Sequence, residues 1–482
     1  MFVRFINTGI PVKRCNVSCH YCYLAQQPNR NDYTDESLKY SIEHMRNALS
    51  PERFGGKCYF NLCAAGETLL FDVLPEVTTM LLELGHFVSI VTNATPTKQL
   101  ERLLNACRHI KEMLFIKCSL QYMQYVKRNL LDTFFGNVRK IREAGIAYAI
   151  ELIVNDETIP LIPEIKEICM KEIGAYTHVM ESRNEAIPSH PRLTKLPLKE
   201  HQEEWRSFGS KIFDYQQITY ENQIKDFCYG GEYFIHLNLQ TGIYNQCTLG
   251  NNLGNIFENI DEPLQFAAVG RNCTREHCWV SYVASVLCGC FNYRDTADLT
   301  YADFRDRLCS NDSRWLTQSV REAFSHRCSE FNEPYSYDKA LYIDLLMRKY
   351  FKNKDPYDHE SADLARIIRE TFGKNGIKKV AIYDMGNLSQ WLKAILQNAK
   401  IVIGCELDRI PEKSIPKVDM VIVANYHEFY KIAPDLRKKT DVPVVSILTL
   451  ADGNFFEGKK KEDRANDKAI SKIKAIYSHF FG

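Results

Sequence analysis

Several features are scarce in this 482-residue chain. Its longest apolar runs fall well short of the ~20 residues a membrane helix needs, which excludes a membrane span. An export signal is missing, because Arg4, Asn7 and Pro11 interrupt the first residues where its apolar core would sit. Charge of one sign is scarce as well: Lys plus Arg number 61 and Asp plus Glu 60, a net of +1. That balance provides no overall field to hold nucleic acid or an anionic lipid surface. There is no internal repeat and no low-complexity tract. What is present is globular in character, 45% apolar and 25% charged, and the length suits about three domains.

Cysteine is the exception, with 17 residues. An odd count without an export signal argues against a disulfide framework and for a cytoplasmic protein, where clustered cysteines serve as metal or cluster ligands. Three lie close together at Cys15, Cys19 and Cys22, and eight fall between Cys228 and Cys328. The scattered remainder, Cys58, Cys63, Cys107, Cys118, Cys169 and Cys405, reads as packing.

Over residues 1–200, β-branched runs at 3–7, 59–63, 88–92, 115–120, 147–154 and 177–180 alternate with segments of helical period at 74–84, 98–107 and 133–144. Repeated strand–helix units predict a parallel sheet, because parallel neighbours need a crossover. Six units predict an α/β fold, a partial (β/α)6 TIM-like barrel. Residues 201–330 are predicted as a small cysteine-rich domain that needs staples, and 331–374 as a helical connector. Residues 375–482 repeat short β runs at 380–383, 401–404, 420–423 and 444–447, a small doubly wound α/β (Rossmann-like) pattern.

Cys15, Cys19 and Cys22 form a CxxxCxxC spacing on the loop after the first predicted strand. Three thiolates on one loop can ligate three corners of a 4Fe–4S cube and leave the fourth iron open. A zinc site completed by His20 or a distant ligand fits the same triplet. The position, at the C-terminal end of a parallel sheet, is where such folds keep their chemistry.

Here the chain resembles the radical S-adenosylmethionine (radical SAM) superfamily, whose signature has this spacing with an aromatic residue before the third cysteine, the place of Tyr21. Ala64, Ala65, Gly66, Glu67 and Thr68 resemble the family's G-G-E-P element, with Ala65 and Thr68 as departures. Thr92, Asn93 and Ala94 resemble its T-N-G, and Ser119, Leu120 and Gln121 its S-L-D-G, with Gln121 in place of Asp. The resemblance implies SAM bound at a 4Fe–4S cluster by Tyr21, Gly66, Glu67, Asn93 and Ser119. It implies reductive cleavage to methionine and a 5′-deoxyadenosyl radical, and an electron donor such as flavodoxin or ferredoxin.

Cys228, Gly242 and Cys247 follow a C-x13-G-x4-C run, and Leu253, Gly254, Asn255 and Ile256 come after it. Both resemble the opening of the SPASM and twitch auxiliary-cluster domains, in which a hairpin turning at the glycine brings two cysteines to one cluster. The later spacings depart from that pattern. Cys273, Cys278, Cys288, Cys290, Cys309 and Cys328 join Cys228 and Cys247 as ligand candidates, enough for one or two auxiliary 4Fe–4S clusters. A zinc staple remains the rival.

In the tail, Asp384, Gly386 and Ser389 stand where a G-x-G-x-x-G turn would hold a pyrophosphate. With one glycine of three and a carboxylate in place, a docking or regulatory module is expected ahead of a nucleotide site. Glu151, His178 and Glu181 are acid–base candidates near the barrel mouth. Only residues 1–14 precede Cys15, so the peptide-clasp domain of many peptide-modifying relatives is expected to be absent. The expected substrate is a small or carbohydrate-linked molecule, with a peptide or protein open. The opposing reading is a non-catalytic iron–sulfur or zinc scaffold whose SAM site has decayed.

Overall fold

A computed structural model describes residues 1–26, 37–184, 191–221, 226–247, 252–271, 273, 277–293, 296, 298–336, 339–340, 343–344, 359–383, 388–424 and 429–446. The tail turn with Asp384 and Gly386, and residues 345–358 of the connector, lie outside the described residues. The chain divides into two units: Met1–Ile260 with Arg275–Asn332, and Asp261–Thr274 with Glu333–Gly482.

In the first unit, the β-branched runs become β1 (Arg4–Ile10), β2 (Cys58–Ala64), β3 (Phe87–Thr92), β4 (Leu114–Ser119), β5 (Ala147–Ile153) and β6 (His178–Met180). They lie side by side in chain order and all parallel. Helices Leu74–Glu83, Thr97–Cys107, Leu131–Glu143 and Ile162–Ile173 return the chain between strands. They bury one stripe each, such as Leu100, Leu103 and Cys107. This mixed α/β arrangement fits a partial barrel. Beyond β1 the sheet continues with β7 (Phe234–Asn238), parallel to β1, and then antiparallel β8 (Ile243–Asn245) and β9 (Asn252–Asn255). Gly242, at φ +80°, turns between β7 and β8, and the Leu253 stretch forms β9.

Alternation along the strands puts Phe5, Tyr59, Phe87 and Phe115 on one face near the strand starts, where Phe324 packs against the last three. Tyr301, from helix Tyr301–Arg305, meets Phe324 edge-on. These rings form the barrel floor. Two residues further along the same face come Asn7, Asn61, Ser89 and Lys117. Buried polar groups are tolerated when bonded to one another. Asn61 Nδ2 donates to Asn7 Oδ1 at 2.8 Å, while Ser89 Oγ and Lys117 Nζ donate to Asn61 Oδ1 at 2.8 and 2.5 Å.

In the second unit, β10 (Lys379–Tyr383), β11 (Val402–Leu407), β12 (Met420–Val423) and β13 (Val444–Ser446) form a parallel sheet in the order β11-β10-β12-β13. Val421 and Val423 of β12 share a core with Ile432 and Leu436 of helix Phe429–Arg437. Among the described residues no helix is long and apolar enough to cross a membrane.

Candidate cofactor site at the barrel mouth

The loop after β1 carries the cysteine triplet across the C-terminal ends of three strands. Glu67 N, past the end of β2, donates to Arg14 O at 2.9 Å. Gly66 permits this approach, since a Cβ there would stand 2.1 Å from Arg14 O and 2.7 Å from Lys13 C. Past β3, Asn93 Nδ2 donates to Asn16 Oδ1 and Asn16 Nδ2 to Thr95 Oγ1, both at 2.7 Å. Past β4, Gln121 Oε1 accepts from Tyr21 Oη at 2.6 Å and from Cys19 Sγ at 3.3 Å. Arg128 Nη1 closes the set on Asn16 O at 2.7 Å.

Within that loop Cys22 N donates to Cys19 O at 3.2 Å, and Asn93 Nδ2 lies 3.9 Å from Cys15 Sγ. Cys19 is buried, and Cys15 and Cys22 are half-buried. Tyr21 is buried edge-on to His20, and burial pushes its phenol far above the ordinary range. Among the described residues, no three His, Cys, Asp or Glu side chains converge as ligands of one metal ion. A 4Fe–4S cube asks for something else, because each thiolate binds a different iron. Three thiols on one loop at the mouth, pinned by its backbone and Asn16, fit that donor set.

Glu67 faces inward. Its carboxylate accepts from Thr92 Oγ1, from Asn93 N at 2.7 Å and from Leu69 N at 2.9 Å, and burial raises its pKa against those bonds. It therefore ties the end of β2 to the end of β3. Asn93 Oδ1 accepts from Thr95 N and Oγ1, which fixes its amide plane toward Asn16. Ser119 ends β4, where its carbonyl accepts from Tyr125 Oη at 2.8 Å.

Of the acid–base candidates, Glu151 and Glu181 are held in ion pairs, while both ring nitrogens of the buried His178 lack a hydrogen-bond partner among the described residues. Glu151 pairs with the buried Arg305, whose guanidinium lies 4.9 Å from the Tyr301 ring and 5.4 Å from the Tyr282 ring. His178 is buried edge-on to Trp315, and burial, aided by Arg307, holds it well below its ordinary pKa. Glu181 accepts from Gln217 Nε2 at 2.9 Å and faces His201 Nε2 at 3.1 Å and Arg192 Nε at 3.3 Å.

Gln121, Asn16, Lys117 and Arg305 escaped the sequence reading. Gln121 stood there only as a departure from a motif. Lys117 carried a usable signal, a charge at an alternate position of a buried strand. Burial, with Arg305 beside it, lowers the Lys117 ammonium to about 7. Cys63 faces the same lumen, and burial raises its thiol, with Lys117 opposing and Glu67 and Cys22 adding.

The later cysteines separate into groups. Cys228 and Cys278 both neighbour Tyr293. Cys288 contacts Cys290 and Cys328. Cys309 packs against Gly174 and Tyr148. Cys247 follows β8 and is half-buried, and Cys273 belongs to the second unit.

No protein-family model and no curated protein matches the sequence. Solved structures similar to it include Streptococcus suis SuiB bound to S-adenosylmethionine, at 14% identity and a TM-score of 0.39 over 54% of this chain. The match spans 65% of SuiB, just under two thirds of its length. Others are anSMEcpe with bound AdoMet and Cp18Cys peptide (13%, TM-score 0.37, 53% of this chain and 78% of that one) and BtrN in complex with AdoMet and 2-DOIA (14%, TM-score 0.29, 54% and 80%).

Proposed function

We propose that this chain is a radical SAM enzyme that removes a hydrogen atom from a carbohydrate-linked small molecule or a peptide. The observation that carries the reading is the anchoring of the CxxxCxxC loop to the ends of β2, β3 and β4 through Arg14, Asn16 and Tyr21. Cys15, Cys19 and Cys22 would hold a 4Fe–4S cluster with one open iron. When bound, that cluster supplies the electron for reductive cleavage of SAM, and so the radical that takes the hydrogen atom.

The chain's own residues orient and enclose. Gly66 lets the loop close on the sheet, and Asn93 presents an amide fixed by Asn16 and Thr95. Glu67 acts as a positioning residue for Asn93, through the backbone amide it holds. Tyr21 offers an apolar ring whose hydroxyl is tied to Gln121, and Ser119 stands at the end of β4. The lumen below is polar through Asn61, Ser89 and Lys117, which suits a hydrophilic substrate. One or two auxiliary clusters among Cys228, Cys247, Cys273, Cys278, Cys288, Cys290, Cys309 and Cys328 would assist oxidation or hold substrate. A flavodoxin or ferredoxin donor and a cytoplasmic setting follow from a reducible cluster. We assign the tail a Rossmann-like docking role, and the divisions 1–200, 201–330, 331–374 and 375–482 to the domains.

The test is anaerobic reconstitution of the full chain and of a Cys15→Ala/Cys19→Ala/Cys22→Ala variant, with dithionite and SAM. The wild type should form 5′-deoxyadenosine, and the variant should form none and hold about four fewer irons per chain. Absence of 5′-deoxyadenosine from a wild type of full iron content would establish the scaffold reading instead.

A further inference from the structure

Cys58 was grouped by sequence with the packing cysteines, yet the fold brings it to three of the late ones. Cys58, Cys288, Cys290 and Cys328 are all 0% exposed. Cys288 and Cys290 flank Gly289, which sits at φ +69°, and a Cβ at Gly289 would stand 2.1 Å from Ser329 Oγ. This turn therefore lies directly on the Cys328 segment, and Ser329 N donates to Cys288 O at 3.0 Å. The Cys288 thiol lies beside those of Cys290 and Cys328.

The same segment reaches the starts of β1 and β2. Asn332 Nδ2 donates to Cys328 O and to Val3 O, both at 2.8 Å. Val3 N in turn donates to Lys57 O at 2.8 Å, one residue before Cys58. The Cys58 thiol donates to Gly56 O at 3.6 Å and lies near Cys328 and the Arg4 guanidinium. Arg4 is itself buried, donating to Phe54 O and pairing with Glu232 at 3.0 Å. On the lumen side, Tyr59 and Tyr301 neighbour Cys288.

As mere packing, four thiols would act as small hydrophobes, with no reason for their segments to be drawn together. A 4Fe–4S cube takes four thiolates, one per iron, and so does not require the one-point convergence of a single ion. We propose that Cys58, Cys288, Cys290 and Cys328 are the four ligands of one auxiliary iron–sulfur cluster beneath the barrel floor, with a barrel-strand residue as the fourth ligand. The assignment rests on the radical SAM reading for the presence of an auxiliary cluster.

The test uses full-length chain carrying the Cys15→Ala/Cys19→Ala/Cys22→Ala changes, so that the iron left is auxiliary iron alone. Cys58→Ser and, separately, Cys328→Ser are added, each reconstituted anaerobically. Iron and sulfide are counted, electron paramagnetic resonance is recorded after reduction, and circular dichroism checks the fold. Each single change should remove about four irons per chain with its resonance, and the double change no more than either. If Cys58→Ser keeps its iron and an unchanged resonance, or the double change removes twice as much as either single, the assignment is overturned. A triple-alanine background without iron also overturns it, while 5′-deoxyadenosine from the wild type would leave the radical SAM reading standing. The converse, iron lost with Cys58 from the triple-alanine chain while the wild type cleaves no SAM, supports the ligand set and sinks the radical SAM reading. Should Cys58→Ser fail to fold, Cys328→Ser and Cys288→Ser, alone and together, carry the same test of shared loss.

Discussion

The two ends of the barrel hold cysteines in opposite ways. At the mouth, Cys15 and Cys22 are half-buried on a loop held by side-chain amides and backbone bonds. At the floor, Cys288, Cys290 and Cys328 are fully buried beside the rings of Tyr59 and Tyr301. A site that must admit a cofactor needs order without closure, and hydrogen bonds to strand ends supply it. A site that only holds a centre in place can be sealed. The difference teaches that perturbing the floor should cost global stability, whereas perturbing the mouth should cost cofactor while the fold survives.

The sharpest way to break this contrast is Arg305→Met. Arg305 leaves the floor helix Tyr301–Arg305 and reaches Glu151 on β5, both buried. Removing the guanidinium leaves an unpaired buried carboxylate, at a cost of about 3–5 kcal/mol. Chemical denaturation should show that loss with the transition still cooperative. A cost near zero would mean that the floor is no more integral to the fold than the mouth.

Gly66→Ala is the matching change at the mouth. The added methyl meets backbone atoms of Lys13 and Arg14, so the cysteine loop must lift from the end of β2. Local strain of this kind costs about 1–3 kcal/mol, less than the Arg305 change. The iron count should nonetheless fall by about four per chain, and 5′-deoxyadenosine formation with it. Iron analysis and a denaturation curve on one preparation check both halves.

The contrast also explains what could be read from sequence. The strands were legible because buried parallel strands are β-branched runs that need no knowledge of their neighbours, and 420–423 was predicted to the residue. The mouth was legible because its cysteines sit on one loop and its strand-end residues come in chain order. The floor was not, because Cys58 and Cys328 lie far apart in sequence, and their segments are joined through Asn332 and Val3. The partner of Glu151 was hidden for the same reason: Arg305 belongs to a different segment, and a carboxylate on a strand reads alike whether paired or free.

Between mouth and floor, Lys117 gives an effect that is small over any one pH unit and accumulates gradually with pH. Its ammonium is buried against Asn61 and repelled by Arg305, which lowers its pKa from 10.5 to about 7. Above pH 7 the folded chain gives up this proton while the unfolded chain keeps it until about 10.5, so unfolding takes up a proton. Stability must then rise with pH across that window, by about 1 kcal/mol between pH 7 and 8. Lys117→Met removes the titrating group and should flatten this rise, with its stabilisation over the wild type greatest below pH 7 and fading toward pH 10. Thermal unfolding of both proteins at half-unit pH steps measures the difference directly. Parallel curves would place the Lys117 ammonium in contact with water, and the middle of the barrel would then belong with the open mouth rather than with the sealed floor.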